Sequence, residues 1–566
     1  MKKIIANKTY LFYGLLLLAA CASLVVTNLS YDAEYQLAMA YRLLKGDALI
    51  TEMWEPHQTS AFLCAIIMKV FMAVTGSTTG IVLFIHVIGL LIRFLISVYF
   101  CKIISKVTGY IPGLIAGIMY LIISPKDLLV PEFSNMQNWF STLMFLTLVH
   151  YLMNRKAWLL VCSAVCLCLG VFSYPSFLID YFAVFILLLC HSERKWRDIL
   201  LYTGVCAGIG GAFVGHLLWK TGWSAILDCL PRALAIEPSH TVNFSEKLWI
   251  NAVGIAKIAG ILAAVGIAGF AVQWIYGLAV KKQTRANKIT EGIFAAWYIL
   301  LALLLADILK AENHGGTSYP FLVLMGLGIW KRKLLSPREK MVYDSALWTG
   351  VINLLSTFLL SDHGILQAVP YMIVTICAST IPLYRWWKDC EENGFVRKWF
   401  LIGVHAFLLI IIFRSMYIHV PISGRAQICS ITSDLGLIRS GPARGIITDE
   451  AGAAMQRDSM AEWEQYIKPG DTIWILGEPV DTLGYLYEDV EVGAPSVMST
   501  PTYNQELLYY WELNPDKYPD VVILSSGFGN LSWELLRNEW LMNWLEEEYQ
   551  AKTVIDGNFW RYYFKE

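Results

Sequence analysis

Apolar positions in this chain come in long unbroken runs rather than in the alternating stripes of a water-soluble domain. Runs of near-spanning length fall at 10–28, 81–101, 109–124, 138–153, 157–173, 176–190, 199–218, 250–280, 291–308, 318–330, 342–360, 365–383 and 399–417. A helix needs roughly 20 apolar residues to cross the hydrocarbon core of a bilayer. The pattern therefore predicts an α-helical polytopic membrane protein of about thirteen transmembrane helices. Basic clusters give these helices an orientation. Lys2/Lys3/Lys8, Lys102/Lys106, Arg155/Lys156, Arg194/Lys195/Arg197, Lys281/Lys282/Arg285/Lys288, Lys331/Arg332/Lys333 and Arg385/Lys388 occupy every second connection. Positive charge is retained on the cytoplasmic side, so the alternation predicts a cytoplasmic N-terminus and an outside C-terminus.

The intervening outside connections are 31–80, 125–137, 174–175, 219–247, 310–319 and 361–364. Beyond residue 417 the pattern changes. The remaining stretch is far richer in charge, with short β-like runs at Gly445–Thr448, Asp471–Leu476 and Val521–Ser525 and a helical stretch at Glu450–Ile467. Strand–helix–strand alternation of this kind predicts a small extracytoplasmic α/β domain over 418–566, following a membrane domain over 1–417. No glycine-rich phosphate loop follows these runs, which argues against a nucleotide site there. Gly204, Gly208, Gly211 and Gly215 stand at small-xxx-small spacing, which predicts close helix packing.

Composition agrees with the pattern. Of 566 residues, 56% are hydrophobic and 16% charged, where a soluble domain carries about 25% charged residues. The formal net charge of −1 gives no basis for binding nucleic acid. The 12 cysteines lie mostly inside apolar runs, as Cys162, Cys166 and Cys168 do, where a thiol acts as a small hydrophobe. No C-x-x-C pair suggests a metal–thiolate site. Met1-Lys2-Lys3 before the first run resembles a signal peptide, but no small-x-small cleavage motif is convincing, so a membrane anchor is expected.

The first outside connection carries the most chemistry. It reads Asn28-Leu-Ser-Tyr-Asp32-Ala-Glu34-Tyr35, continues through Arg42 to Gly46, and reaches Trp54-Glu55-Pro56-His57-Gln58. Tyr35 to Leu44 has helical apolar spacing but is too short and polar to span, and Ser60–Val74 is apolar and ends at Gly76. Both fit interfacial helices lying along the membrane surface. Asp32 and Glu34 thus fall just above the bilayer, where a carboxylate is costly unless paired, solvated or used. They also suit a plain structural role, since Asp32 is a fair helix N-cap and acids favour helix N-termini.

These pieces resemble the GT-C superfamily of polyprenyl-phosphate-sugar glycosyltransferases, such as the protein O-mannosyltransferases and the lipid A aminoarabinose transferases. The likeness rests on the acidic pair Asp32/Glu34 after the first helix, the small-residue helix ending in Gly46, and the Trp54-to-Gln58 segment. An interfacial helix, a span bearing Arg93, about thirteen spans and an outside C-terminal domain extend it over the chain. The family's acid is typically Asp followed directly by Glu, whereas this chain has Asp-Ala-Glu. The resemblance implies transfer of a sugar from a polyprenyl-phosphate donor to a glycan, lipid or protein acceptor on the extracytoplasmic face of the cell membrane. Asp32 or Glu34 would serve as the base, with Mg or Mn held by the pair as a possible cofactor.

Such a transfer needs a carboxylate for the acceptor hydroxyl and donors or cations for the departing phosphate. Trp54, His57, Gln58, Arg93 and Glu132 are candidate substrate-binding residues, joined by Lys310, His314 and Asp362 from later outside connections. Each has a plainer reading. Trp54 could belong to an aromatic belt, Glu132 could serve a helix dipole, and the polar turns could be only turns. Arg93 falls mid-span, where a charge points to function or a specific partner. A transporter of lipid-linked sugars is the alternative in a different class, although no inverted repeat is visible. A non-catalytic polysaccharide-assembly subunit is the third.

Overall fold

The computed structural model describes residues 2–27, 29–124, 129–235, 244–279, 285–309, 316–360, 364–390, 394–416, 418–422, 425–429, 435–476, 479–498, 504–525 and 539–565. Every apolar run is built of helix. In chain order these are α1 (Lys2–Val26), α2 (Tyr31–Lys45), α3 (Ala61–Thr75), α4 (Ile81–Val107), α5 (Tyr110–Ile122), α6 (Phe133–Asn154), α7 (Ala157–Ser173) and α8 (Asp180–His191). There follow α9 (Lys195–Thr221), α10 (Trp223–Ala235), α11 (Phe244–Ala279), α12 (Arg285–Leu309), α13 (Ser318–Lys331) and α14 (Pro337–Leu360). A broken helix over 365–389 and a last one, Gly394–Ser415, complete the bundle.

Among the described residues, seven helices are long and apolar enough to cross a membrane singly, or eight if the pair Ile365–Ala378 and Thr380–Asp389, bent by 45°, counts as one span. Several of the thirteen sequence runs fall outside that set for physical reasons. The segments Tyr110–Ile122, Ala157–Ser173 and Pro175–His191 are short. Helices α6 and α14 are longer but carry buried polar stripes, Ser134, Gln137, Asn138 and Ser141 on one and Ser345, Thr349, Asn353 and Ser356 on the other. Conversely Gln58–Thr75, expected to lie along the membrane surface, is long and apolar enough to span. The chain is a multi-pass membrane protein.

The glycine stripe of α9 departs from expectation. A side chain added at Gly204, Gly208, Gly211 or Gly215 would meet nothing within 4 Å among the described residues. Helix α9 packs instead through Ile199 and Tyr202 against the cluster built on α7 and α8. The close approach occurs elsewhere. At Gly89 of α4, an added Cβ would lie 1.7 Å from the Leu129 carbonyl oxygen, so only glycine admits the second outside connection there.

The C-terminal region contains a five-stranded sheet. Strands β1 (Ile418–Ile422) and β2 (Arg425–Cys429) form an antiparallel pair, as do β3 (Leu435–Leu437) and β4 (Ile447–Asp449). The larger sheet has the order β6-β5-β7-β9-β8, with β5 (Thr472–Leu476), β6 (Glu491–Val492), β7 (Val521–Ser525), β8 (Thr553–Asp556) and β9 (Trp560–Phe564). Strand β5 runs parallel to β6 and β7, while β9 is antiparallel to β7 and β8. The runs read near 471 and 521 are the buried centre of this sheet. The run near 445 instead pairs in the separate hairpin and leads into the helix Glu450–Tyr466, capped by Asp449 through the Gly452 N–H at 2.7 Å.

One hydrophobic core joins the first outside connection to this sheet. It contains Leu37, Tyr41, Trp54 and Met68, the first turn of α4 at Ile81 and Val82, and Trp474, Tyr510 and Val522 of the C-terminal region. Main-chain bonds reinforce the junction. The Gly80 N–H donates to the Gly441 carbonyl at 3.0 Å and the Val82 N–H to that of Pro442 at 3.1 Å.

Candidate active site

Ser30 has extended backbone angles as the residue before α2, and Gly46 ends the helix at φ 109°, in the left-handed region that a side chain disfavours. Its amide closes back on the Arg42 and Leu43 carbonyls. Alanine, leucine and methionine between them favour helix. Asp32 and Glu34 fall in the first turn, where the positive end of the helix dipole favours negative charge.

The helix separates the two acids. Residues two apart are turned about 200° from each other. Asp32 is half-buried, whereas Glu34 is fully buried. Among the described residues, no group of three or more His, Cys, Asp or Glu stands ready to hold a metal ion.

Behind these acids lies a charge network that sequence reading did not single out. The Arg42 side chain is wholly buried. Its Nε donates to Asp47 Oδ2 at 2.6 Å, its Nη1 to Glu55 Oε1 at 3.0 Å and the Pro495 carbonyl at 3.2 Å, and its Nη2 to the Glu52 carbonyl at 2.5 Å. Burial acts to lower the Arg42 pKa, but the Glu55 and Asp47 carboxylates more than offset it and hold the guanidinium above its ordinary value. Glu55 Oε1 also accepts the Val497 N–H at 3.1 Å. Asp47 receives Lys517 Nζ at 2.5 Å, and Lys517 bonds Glu491 at 3.1 Å. Lys45 and Tyr41 meet Asp489 on the same side. The network ties α2 and the 47–55 loop to the C-terminal region. Its signal in the sequence is a set of charges, Arg42, Asp47 and Glu55, inside an otherwise apolar, aromatic stretch.

The Trp54-to-Gln58 segment continues from this anchor. Trp54 is fully buried, edge-on to Tyr510 with ring centres 5.4 Å apart, and its backbone N–H donates to the Pro495 carbonyl at 2.8 Å. It anchors the loop rather than offering a face to a sugar. Gln58 does similar work, accepting the Ile50 N–H at 2.8 Å and donating to the Glu55 carbonyl at 3.1 Å. His57 is half-buried and stacks on Phe133 at 4.3 Å and on Tyr174 at 5.1 Å. Thr59 Oγ1 donates to the Phe172 carbonyl at 2.5 Å. Three outside connections therefore meet at the His57 ring.

Glu132 adjoins that meeting point. Its carboxylate caps α6, accepting the Ser134 N–H at 2.9 Å and the Asn135 N–H at 2.7 Å, a role at the helix terminus. Arg93 lies elsewhere. It is buried on α4, near enough to Cys21, Tyr120 and Cys377 to act on them electrostatically. It is also two turns, roughly 10 Å, along α4 from His86, which bonds the Val25 carbonyl at 2.8 Å. Lys310, His314 and Asp362 lie outside the described residues. A further acid, Asp180, interrupts the apolar 176–190 run, a signal readable in the sequence, and is fully buried.

No family model and no curated protein sequence matches the chain. Among solved structures it is similar to ArnT from Cupriavidus metallidurans in the apo state, at 9% identity and a TM-score of 0.47, over 100% of this chain and 98% of that one. It is also similar to the oligosaccharyltransferase AglB from Archaeoglobus fulgidus in complex with an inhibitory peptide and a dolichol-phosphate, at 12% identity and a TM-score of 0.40, over 92% and 70% of the two chains. A crystal structure of the Archaeoglobus fulgidus oligosaccharyltransferase with Zn and sulfate matches at 11% and 0.43. At these scores the likeness carries no argument about chemistry, which rests on the residues themselves.

Proposed function

We propose that this protein is an integral membrane glycosyltransferase that moves a sugar from a polyprenyl-phosphate donor to an acceptor hydroxyl on the extracytoplasmic face. The observation that carries the reading is Asp32, a half-buried carboxylate on the first turn of a helix whose remainder is locked into a core. Three outside connections meet in the same part of the chain at His57. A base must be accessible yet held still, and Asp32 meets both needs where buried Glu34 meets only one.

In the proposed reaction Asp32 accepts the proton of the acceptor hydroxyl as its oxygen bonds to the sugar anomeric carbon. The bond from that carbon to the phosphate oxygen breaks, and the lipid phosphate leaves with the electron pair. His57 is the proposed donor to the substrate. Arg93, Lys310 and His314 are the candidates for holding the leaving phosphate, and Asp362 for orienting the sugar. The N-terminus is assigned to the cytoplasm and residues 418–566 to the outside, on the alternation of basic clusters.

The test is transfer from a mixed extract of polyprenyl-phosphate sugars by the purified protein. Asp32→Asn is expected to reduce transfer by about 10²–10⁴-fold with an unchanged melting temperature. Full activity in that variant would remove Asp32 from the mechanism. A second reading, movement of a lipid-linked sugar across the bilayer, draws on the broken helix over 365–389 and the buried Asp180. Flipping in proteoliposomes with no transfer product would favour it.

A further inference from the structure

Helix α14 carries a buried polar stripe that faces two other elements. Ser356 Oγ and Ser176 Oγ are 2.8 Å apart, and Gln137 Nε2 donates to Thr357 Oγ1 at 3.4 Å. Ser176 belongs to the 3-10 turn Pro175–Ile179 that leads into α8, and Gln137 to α6. Asn353 lies one turn before both α14 contacts, so its side chain falls on the stripe shared by the two. Asp180 lies about one turn after Ser176. The far end of α8 returns toward the start of α14, where Asp344 acts electrostatically on His191. The two elements therefore run antiparallel. One turn inward from the serine pair brings Asp180 and Asn353 to the same level.

Both side chains are fully buried, and among the described residues neither Asp180 oxygen nor either polar atom of Asn353 has a hydrogen-bond partner. Gln137 Oε1 is likewise buried without one. A lone carboxylate in such a place costs several kcal/mol unless something compensates it. Among the described residues no arginine or lysine is hydrogen-bonded to these side chains; Lys247 reaches the same end of α14, its Nζ 5.9 Å from the Phe358 ring. The donors on hand are all hard oxygens: one carboxylate, two amide carbonyls and two hydroxyls.

We propose that Asp180, Asn353, Gln137, Ser176 and Ser356 form a binding site for an alkali-metal cation between α6, the start of α8 and α14. Hard oxygen ligands select such ions, and the single carboxylate balances one positive charge. Divalent ions are ordinarily held in all-protein sites by more than one carboxylate. The bound cation ties the turn after Tyr174 to the bundle, and Tyr174 is a ring in the His57 stack. The site thus steadies one wall of the candidate active site without touching substrate.

The test is thermal melting of the full-length protein in detergent, at constant ionic strength, in sodium, potassium or choline chloride. Sodium or potassium is expected to raise the melting temperature over choline saturably, by about 2–4 °C. Asp180→Asn should remove that dependence while the protein still melts cooperatively, and Asn353→Leu should do the same as an independent variant. Equal melting of the wild-type protein in all three salts would overturn the proposal and leave Asp180 as a buried carboxylic acid. So would a cation dependence that survives in both variants.

Discussion

Two buried polar regions of this molecule solve the same problem in opposite ways. In the first outside connection, Arg42 meets Asp47 and Glu55, and Lys517 completes the group from the C-terminal region. Within the bundle, Asp180 and Asn353 have no partner among the described residues. The first network pairs each carboxylate with a cation and uses side chains from two ends of the sequence, although Glu55 Oε2 has no hydrogen-bond partner among the described residues. The second supplies only acceptors and amides, and so calls for a cation from outside. The comparison teaches that a buried charge here marks an anchor where opposite charges converge and a ligand site where only one sign is present.

The contrast can be broken at its strongest point. Arg42→Met leaves Asp47 and Glu55 buried with one cation fewer, and should cost about 3–5 kcal/mol of stability. A chemical melt of the solubilised protein measures it. A loss below about 1 kcal/mol would show that water or rearrangement satisfies those acids and that the anchor is not closed.

The matching change in the bundle should have the opposite sign. In choline chloride, Asp180→Leu removes an uncompensated buried carboxylate and should leave the protein as stable as wild type or about 1–3 kcal/mol more so. In sodium chloride the advantage should shrink, because the wild-type protein alone gains from the ion. A large loss in choline would show that Asp180 is already paired, and the two regions would then be alike.

The smallest effect concerns pH. Burial acts to lower the Lys517 pKa, but Asp47 and Glu491 outweigh it and raise the ammonium above its ordinary value. A raised lysine favours the folded state fully below the ordinary lysine pKa of about 10.4. That contribution is lost as pH climbs from there through the raised value. Wild-type melting temperature should therefore fall in this alkaline window more steeply than that of Lys517→Met. Parallel curves would show that the Lys517 contacts contribute little.

The sequence by itself determined the helical runs, the membrane class and the centre of the C-terminal sheet, because each follows from local periodicity and short-range caps. Helix α2 was legible in that way from Tyr35 to Leu44 with Gly46 as its end, although it begins earlier, at Tyr31, with Ser30 rather than Asp32 in the cap position; the helix after Asp449 was legible too. The presence of acids at the start of α2 was legible too, but their division of labour was not. Only helical rotation in the folded chain leaves Asp32 half-buried and Glu34 inside. Likewise Trp54 and Gln58 read as substrate contacts through the family resemblance, yet tertiary packing makes them anchors. Their partners, Pro495 and Tyr510 for one and Ile50 and Glu55 for the other, depend on how distant or looping segments meet. Charges separated by hundreds of positions, as Asp47 and Lys517 are, carry no local sign of their pairing. Partner choice is a property of three-dimensional proximity and burial, and those arise only when the whole chain has folded.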